Sequence, residues 1–162
     1  MDDKKISRRI RIIIIVFIVF LVLSGITAFP IETELEILYS NSAIFPDFIR
    51  IWLTDVYLAV KDTNAKYPFL SYGTDWLAFA HLVIAVAFIG PLKDPVKNIW
   101  VIEFGIIACL MVIPLALIAG PVRGIPFYWQ LIDCSFGILG LIPLIWCYKL
   151  IKKLERHPSE GV

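Results

Sequence analysis

Histidine and cysteine are scarce in this chain, with two and three copies in 162 residues. His81 and His157 fall on opposite sides of the apolar segments, which excludes a bis-histidine haem held across a membrane by one chain. Cys109, Cys134 and Cys147 form no C-x-x-C pair and lie in no loop. An odd, loop-free set argues against a disulfide framework and a thiol relay, leaving small apolar packers. The patterns G-x-x-x-x-G-K-[ST], H-E-x-x-H and G-x-S-x-G are all missing, so the sequence carries no P-loop, zincin or nucleophile-elbow signature. No metal-ligand cluster and no cofactor motif is present. No basic aromatic surface points to nucleic acid.

Apolar residues are abundant instead. They make up 59% of the chain, and the mean hydropathy is +0.82. Soluble domains hold roughly 45–50% apolar residues. The 18% of charged residues crowd into ends and loops. A membrane-crossing helix takes about 20 predominantly apolar residues. Stretches at 11–29, 74–91, 98–119 and 126–148 fit. The predicted fold is an all-α membrane protein, a single domain over 1–162 with four transmembrane helices in one bundle. Residues 30–73 form an outer cap that includes an amphipathic extracytoplasmic helix. The first stretch follows Lys4, Lys5, Arg8, Arg9 and Arg11, as a secretory signal would. It outruns a signal core of about 7–15 residues, and Ile26-Thr27-Ala28-Phe29-Pro30 is a poor cleavage site, so it reads as an uncleaved anchor.

Charge orients the helices. Eleven Lys and Arg lie in the N-terminal arm, the 92–97 loop and the tail, against four in 30–73 and 119–125. The positive-inside rule puts both termini in the cytoplasm. The isoleucine-rich first span points to a prokaryotic cytoplasmic membrane. Lys149, Lys152, Lys153 and Arg156 would attract anionic lipid.

Within the cap, Thr33-Glu34-Leu35-Glu36 fits a capping box opening a short helix, with Glu32, Glu34 and Glu36 mostly solvated. A second helix runs from Asp47 to Asp62 with Pro46 at its first position and Asn64 at its end. Its apolar circumference suits the outer interface or a clamp over the bundle. Thr74 caps the second span, Asp75 sits in its first turn, and Gly90-Pro91 ends it. The third span ends at Ala119, and Pro126 opens the fourth. Gly120 to Pro126 forms an outer turn, so the last two spans make a hairpin.

Ionisable residues inside the spans mark the candidate site. His81 and Asp133 each fall about 10 Å below the outer boundary at helical rise. An aspartate at mid-span costs roughly 2.5–3.5 kcal/mol on insertion scales, which favours a pairing of the two. Gln130, Gly137 and Gly140 share the helical face of Asp133. Thr74, Ala78, Ile84 and Ala85 share that of His81. The expected ligand pocket is lined by His81, Asp133, Gln130, Thr27 and Ser24, with Asp75, Arg123, Glu32 and Trp129 at its mouth. Arg123 is the natural partner for one of these carboxylates. Glu103 belongs to the inner leaflet, within reach of Lys93, Lys97 or loop backbone. Pro114 and Pro143 free the carbonyls of Leu110 and Leu139.

Three readings stay open. The first is a membrane protein binding a lipid-like or small apolar ligand, with or without catalysis. In span count and orientation it resembles the emopamil-binding and sigma-2-receptor group of four-span proteins. That resemblance implies acidic residues in a lipid-accessible cavity, and no motif carries over residue by residue. The second is a non-catalytic accessory or assembly subunit of a membrane complex, its His–Asp pair structural. The third is a transporter or channel, acting as a homo-oligomer. Membrane lipid is the partner common to all three.

Overall fold

Long β-branched and leucine-rich runs with few interior breakers leave helix as the only element that satisfies its own backbone in lipid. The computed structural model describes residues 3–156. Among them there is no strand, and seven α-helices follow in order. They are α1 (Asp3–Ala28), α2 (Ile31–Ser40), α3 (Asp47–Lys66), α4 (Tyr72–Ala87), α5 (Ile89–Lys93), α6 (Ile99–Val122) and α7 (Phe127–Arg156). Short 3₁₀ turns occupy Ser42–Ile44 and Pro68–Leu70. Four segments are long and apolar enough to cross a membrane: α1, the Pro68–Lys93 stretch with α4 and α5, α6, and α7. In each, 22% of the most apolar stretch is buried by protein, so most of that apolar surface stays uncovered by the chain itself. The chain is therefore all-helical with four candidate spans.

Several boundaries differ from the sequence expectation. The first span begins at Asp3, so the basic arm is helical. The first cap helix begins at Ile31, which places Thr33 inside it; no side-chain cap forms. Pro30 already fixes the helix start, and its carbonyl accepts from the Glu34 amide at 3.0 Å. Pro46 precedes α3 rather than opening it, and α3 continues past Asn64 to Lys66. The second span breaks at Phe88, before Gly90-Pro91. Proline has no N–H and crowds the carbonyl four residues back, here that of Ala87, so α4 ends there. Pro91 is then tolerated near the start of α5, where an N–H has no helical partner. Gly120 and Pro121 lie within α6, which runs on to Val122. The fourth span continues to Arg156; His157 lies outside the described residues.

Packing divides the chain into two compact units. One holds the described residues up to Ile18 and from Val86 onward. Its centre is the α6–α7 hairpin, made by a tight glycine turn. Gly124 has φ +69°, the left-handed conformation that ends helices. The Ile125 amide donates to Gly120 at 2.9 Å and the Gly124 amide to Pro121 at 3.2 Å, closing the last turn of α6. Small residues then let the two helices close on each other. A Cβ on Gly140 would come 2.8 Å from Cys109 Sγ, and one on Gly105 would come 3.0 Å from Leu144. Phe88 is fully buried, and its ring lies 4.7 Å from that of Phe17, centroid to centroid. On α1, Ile6, Ile10, Ile13 and Ile14 form a buried stripe at helical spacing.

The other unit spans Val19–Ala85. Here α2 lies on α3 around Leu35, Leu53 and Tyr57, and the Tyr39 and Tyr57 rings stack at 4.8 Å. Polar ties fasten the two helices because Glu32 and Glu36 share one face of α2, while Tyr57, Lys61 and Asn64 share one face of α3. Tyr57 donates to Glu36 at 3.4 Å, Lys61 to Tyr57 at 2.9 Å, and Asn64 to Glu32 at 2.6 Å. Ser71 donates in turn to Asn64 Oδ1. Glu32 and Glu36 are thus hydrogen-bonded rather than merely solvated. Lys61 is held above the usual lysine pKa by its hydrogen bond to Tyr57, then by charge on Tyr57, Glu36 and Glu32. Where α1 ends, Gly25 approaches α4 so closely that a Cβ would meet the Ala78 carbonyl at 2.8 Å. At the start of α4, Tyr72, Trp76 and Phe79 stand exposed in an edge-to-face chain, as an interfacial aromatic belt does.

Candidate polar site in the apolar helices

His81 lies on α4 in the unit Val19–Ala85, and its ring is half-buried. Its neighbours in sequence, Ala78 and Leu82, are the residues against which Gly25 packs. The Nδ1–H of His81 donates to the Leu77 carbonyl at 2.8 Å. A carbonyl only accepts, so Nδ1 carries a proton, and the matching neutral tautomer has Nε2 as its acceptor. Thr27 and Ser24 are exposed near the end of α1, the Thr27 hydroxyl donating to the Ser24 carbonyl at 3.5 Å. Asp75 is half-buried in the first turn of α4, as the helix dipole favours. Glu32, expected at a pocket mouth, is engaged by Asn64.

Asp133, Gln130, Arg123 and Trp129 belong to the other unit. Gln130 is 4% exposed, and its amide donates to the Ile125 carbonyl at 2.8 Å. Its side chain fills the space above Gly120, where a Cβ would come within 2.6 Å of it. That accounts for Gln130 structurally: it holds the 123–126 turn against α7. Arg123 ends α6 with its amide donating to Ala119 at 3.0 Å. The Arg123 side chain is exposed and pairs with no described carboxylate of its own unit. Trp129 is half-buried in the first turn of α7.

Asp133 shares a face of α7 with Gln130 and with Gly137 and Gly140, which pack on α6 as that face predicts. The residue is half-buried. Every other polar group named on that face is accounted for, yet no described residue of its unit hydrogen-bonds the Asp133 carboxyl. Glu103 is exposed on α6, and its charge reaches Lys152 of α7, a neighbour that only the antiparallel hairpin supplies. No group of three or more His, Cys, Asp and Glu among the described residues could hold a metal. Cys134 and Cys147 are buried and Cys109 half-buried, and all three are free thiols.

These features define a helical protein with four membrane-spanning candidates and isolated polar groups within them. No family model matches the chain, and no curated protein or solved structure is significantly similar to it.

Proposed function

We propose that this protein binds an amphipathic, lipid-like ligand within the membrane, with the Asp133 carboxyl as the anchor for the ligand's polar end. The observation that carries this reading is that no described residue of its own unit hydrogen-bonds the Asp133 carboxyl, on a helix face whose Gln130 and glycines are accounted for. An ionisable group within a span is costly and is retained against a partner or a function. His81 supports the same chemistry in the other unit, since its Nε2 is also an acceptor. Acceptors select donors, so the ligand's polar end is an amine or a hydroxyl, and its apolar body lies along the exposed leucine, isoleucine and phenylalanine surface.

Orientation follows from the basic residues. Both termini and the 92–97 loop lie in the cytoplasm of a cell membrane, and the α2–α3 cap lies outside. Asp133 then sits in the outer leaflet. Dodecylamine and dodecanol are direct probes. Each should raise the thermal midpoint of the purified protein, the amine more, and Asp133→Leu should remove that rise. An equal rise in Asp133→Leu would defeat the assignment.

A further inference from the structure

An open cleft of about 480 Å³ lies within the cap, between the end of α2, the Ser42–Ile44 turn and the first half of α3. Its chemistry is not that of the Asp133 site. Arg50 and Asp55 supply one cation and one anion, and Tyr39, Ser40, Ser42 and Thr54 line it with hydroxyls. The Tyr39 wall is held by its stacking on Tyr57, and the Thr54 hydroxyl is turned back onto the Arg50 carbonyl at 2.8 Å. That leaves the hydroxyls of Ser40, Ser42 and Tyr39 as donors toward the cleft.

The two charges are not used up by the fold. Arg50 meets Asp47 through a single contact, Nη2 to Oδ1 at 2.7 Å, with the side chains 47% and 82% exposed. An exposed pair of this kind adds little to stability, and four more guanidinium N–H donors remain. Asp62, like Asp47, is ion-paired within α3, to Lys66 at 2.9 Å. Asp55 has no such partner among the described residues: residues 51, 52, 58 and 59, one turn away on either side, are Ile, Trp, Leu and Ala.

We infer that this cleft binds a phosphoethanolamine group, its phosphate on Arg50 and the serine hydroxyls and its ammonium on Asp55. Guanidinium with neutral hydroxyl donors suits a phosphate, and a carboxylate with no other cation suits a primary ammonium. Exposed Ile51 offers an apolar contact for the linking carbons. The group can come from a membrane lipid headgroup or from a free zwitterion, and the reading is independent of the Asp133 site.

The test uses the full-length protein in nanodiscs and native mass spectrometry. Phosphatidylethanolamine should be retained in preference to phosphatidylglycerol, which lacks the ammonium, and to phosphatidylcholine, whose ammonium has no N–H. Asp55→Asn should weaken the ethanolamine preference about tenfold, the size of one charge-assisted hydrogen bond. Arg50→Gln should weaken retention of all three lipids, and Asp62→Asn, the same charge change outside the cleft, should alter nothing. Free phosphoethanolamine competing with the lipid identifies the headgroup itself as the ligand; lipid retention that it does not displace identifies the membrane lipid as the source. Unchanged ethanolamine preference in Asp55→Asn, or no preference in the unaltered protein, overturns the proposal.

Discussion

Gly137 of α7 faces the backbone of α6 at Cys109 so closely that a Cβ would stand 2.6 Å from the Cys109 carbonyl oxygen. A backbone atom cannot swing aside as a side-chain tip can, so this glycine sets the hairpin's closest approach. Gly137→Ala should therefore destabilise the protein by about 1–3 kcal/mol, the ordinary cost of overpacking. Gly73→Ala, at a position with nothing within 4 Å of the added carbon, should be neutral or mildly stabilising. Thermal unfolding of the purified protein in detergent reads both.

The cap should respond to alkaline pH through Lys61. Its pKa in the folded protein lies above the 10.5 of the unfolded chain, because Tyr57, Glu36 and Glu32 favour the ammonium. A raised pKa means that the folded state holds the proton more tightly. The contribution is complete below 10.5 and fades as pH rises through the folded value. A carbon-13 titration of methylated lysines should show Lys61 titrating above the 10.5 of the unfolded chain, and Tyr57→Phe should bring it down. An unshifted Lys61 in the unaltered protein would show that the Tyr57 contact is not maintained.

Membrane orientation is open to chemical labelling, since the native cysteines all lie within helices. Ala43→Cys, exposed in the cap, should react with an impermeant maleimide in intact cells. Lys97→Cys in the short loop should react only after permeabilisation. The reverse pattern would invert the proposed topology.

The apolar spans were legible because a helix in lipid must be apolar over its whole length, and that pattern survives at any register. The helix ends were not. Thr33 matched a capping pattern, but Pro30 sets the helix start two residues before it. Gly120 resembled a turn glycine, yet Gly124 carries the positive φ, and Gly120 is there to admit the Gln130 side chain. Gln130 and Glu32 read as pocket residues because polarity in an apolar context is visible in sequence. Their hydrogen bonds to Ile125 and Asn64 depend on tertiary packing and are not. The Tyr39–Arg50–Asp55 cleft left no sequence mark, as its walls come from two helices and the turn between them.

Asp133 carries the functional reading, and native mass spectrometry of the protein as purified from its membrane weighs it most directly. The account predicts a bound amphiphile with an amine or hydroxyl headgroup, lost in Asp133→Leu while the variant remains folded. A protein that carries no such adduct, or an Asp133→Leu variant that keeps it at full occupancy, would contradict the account.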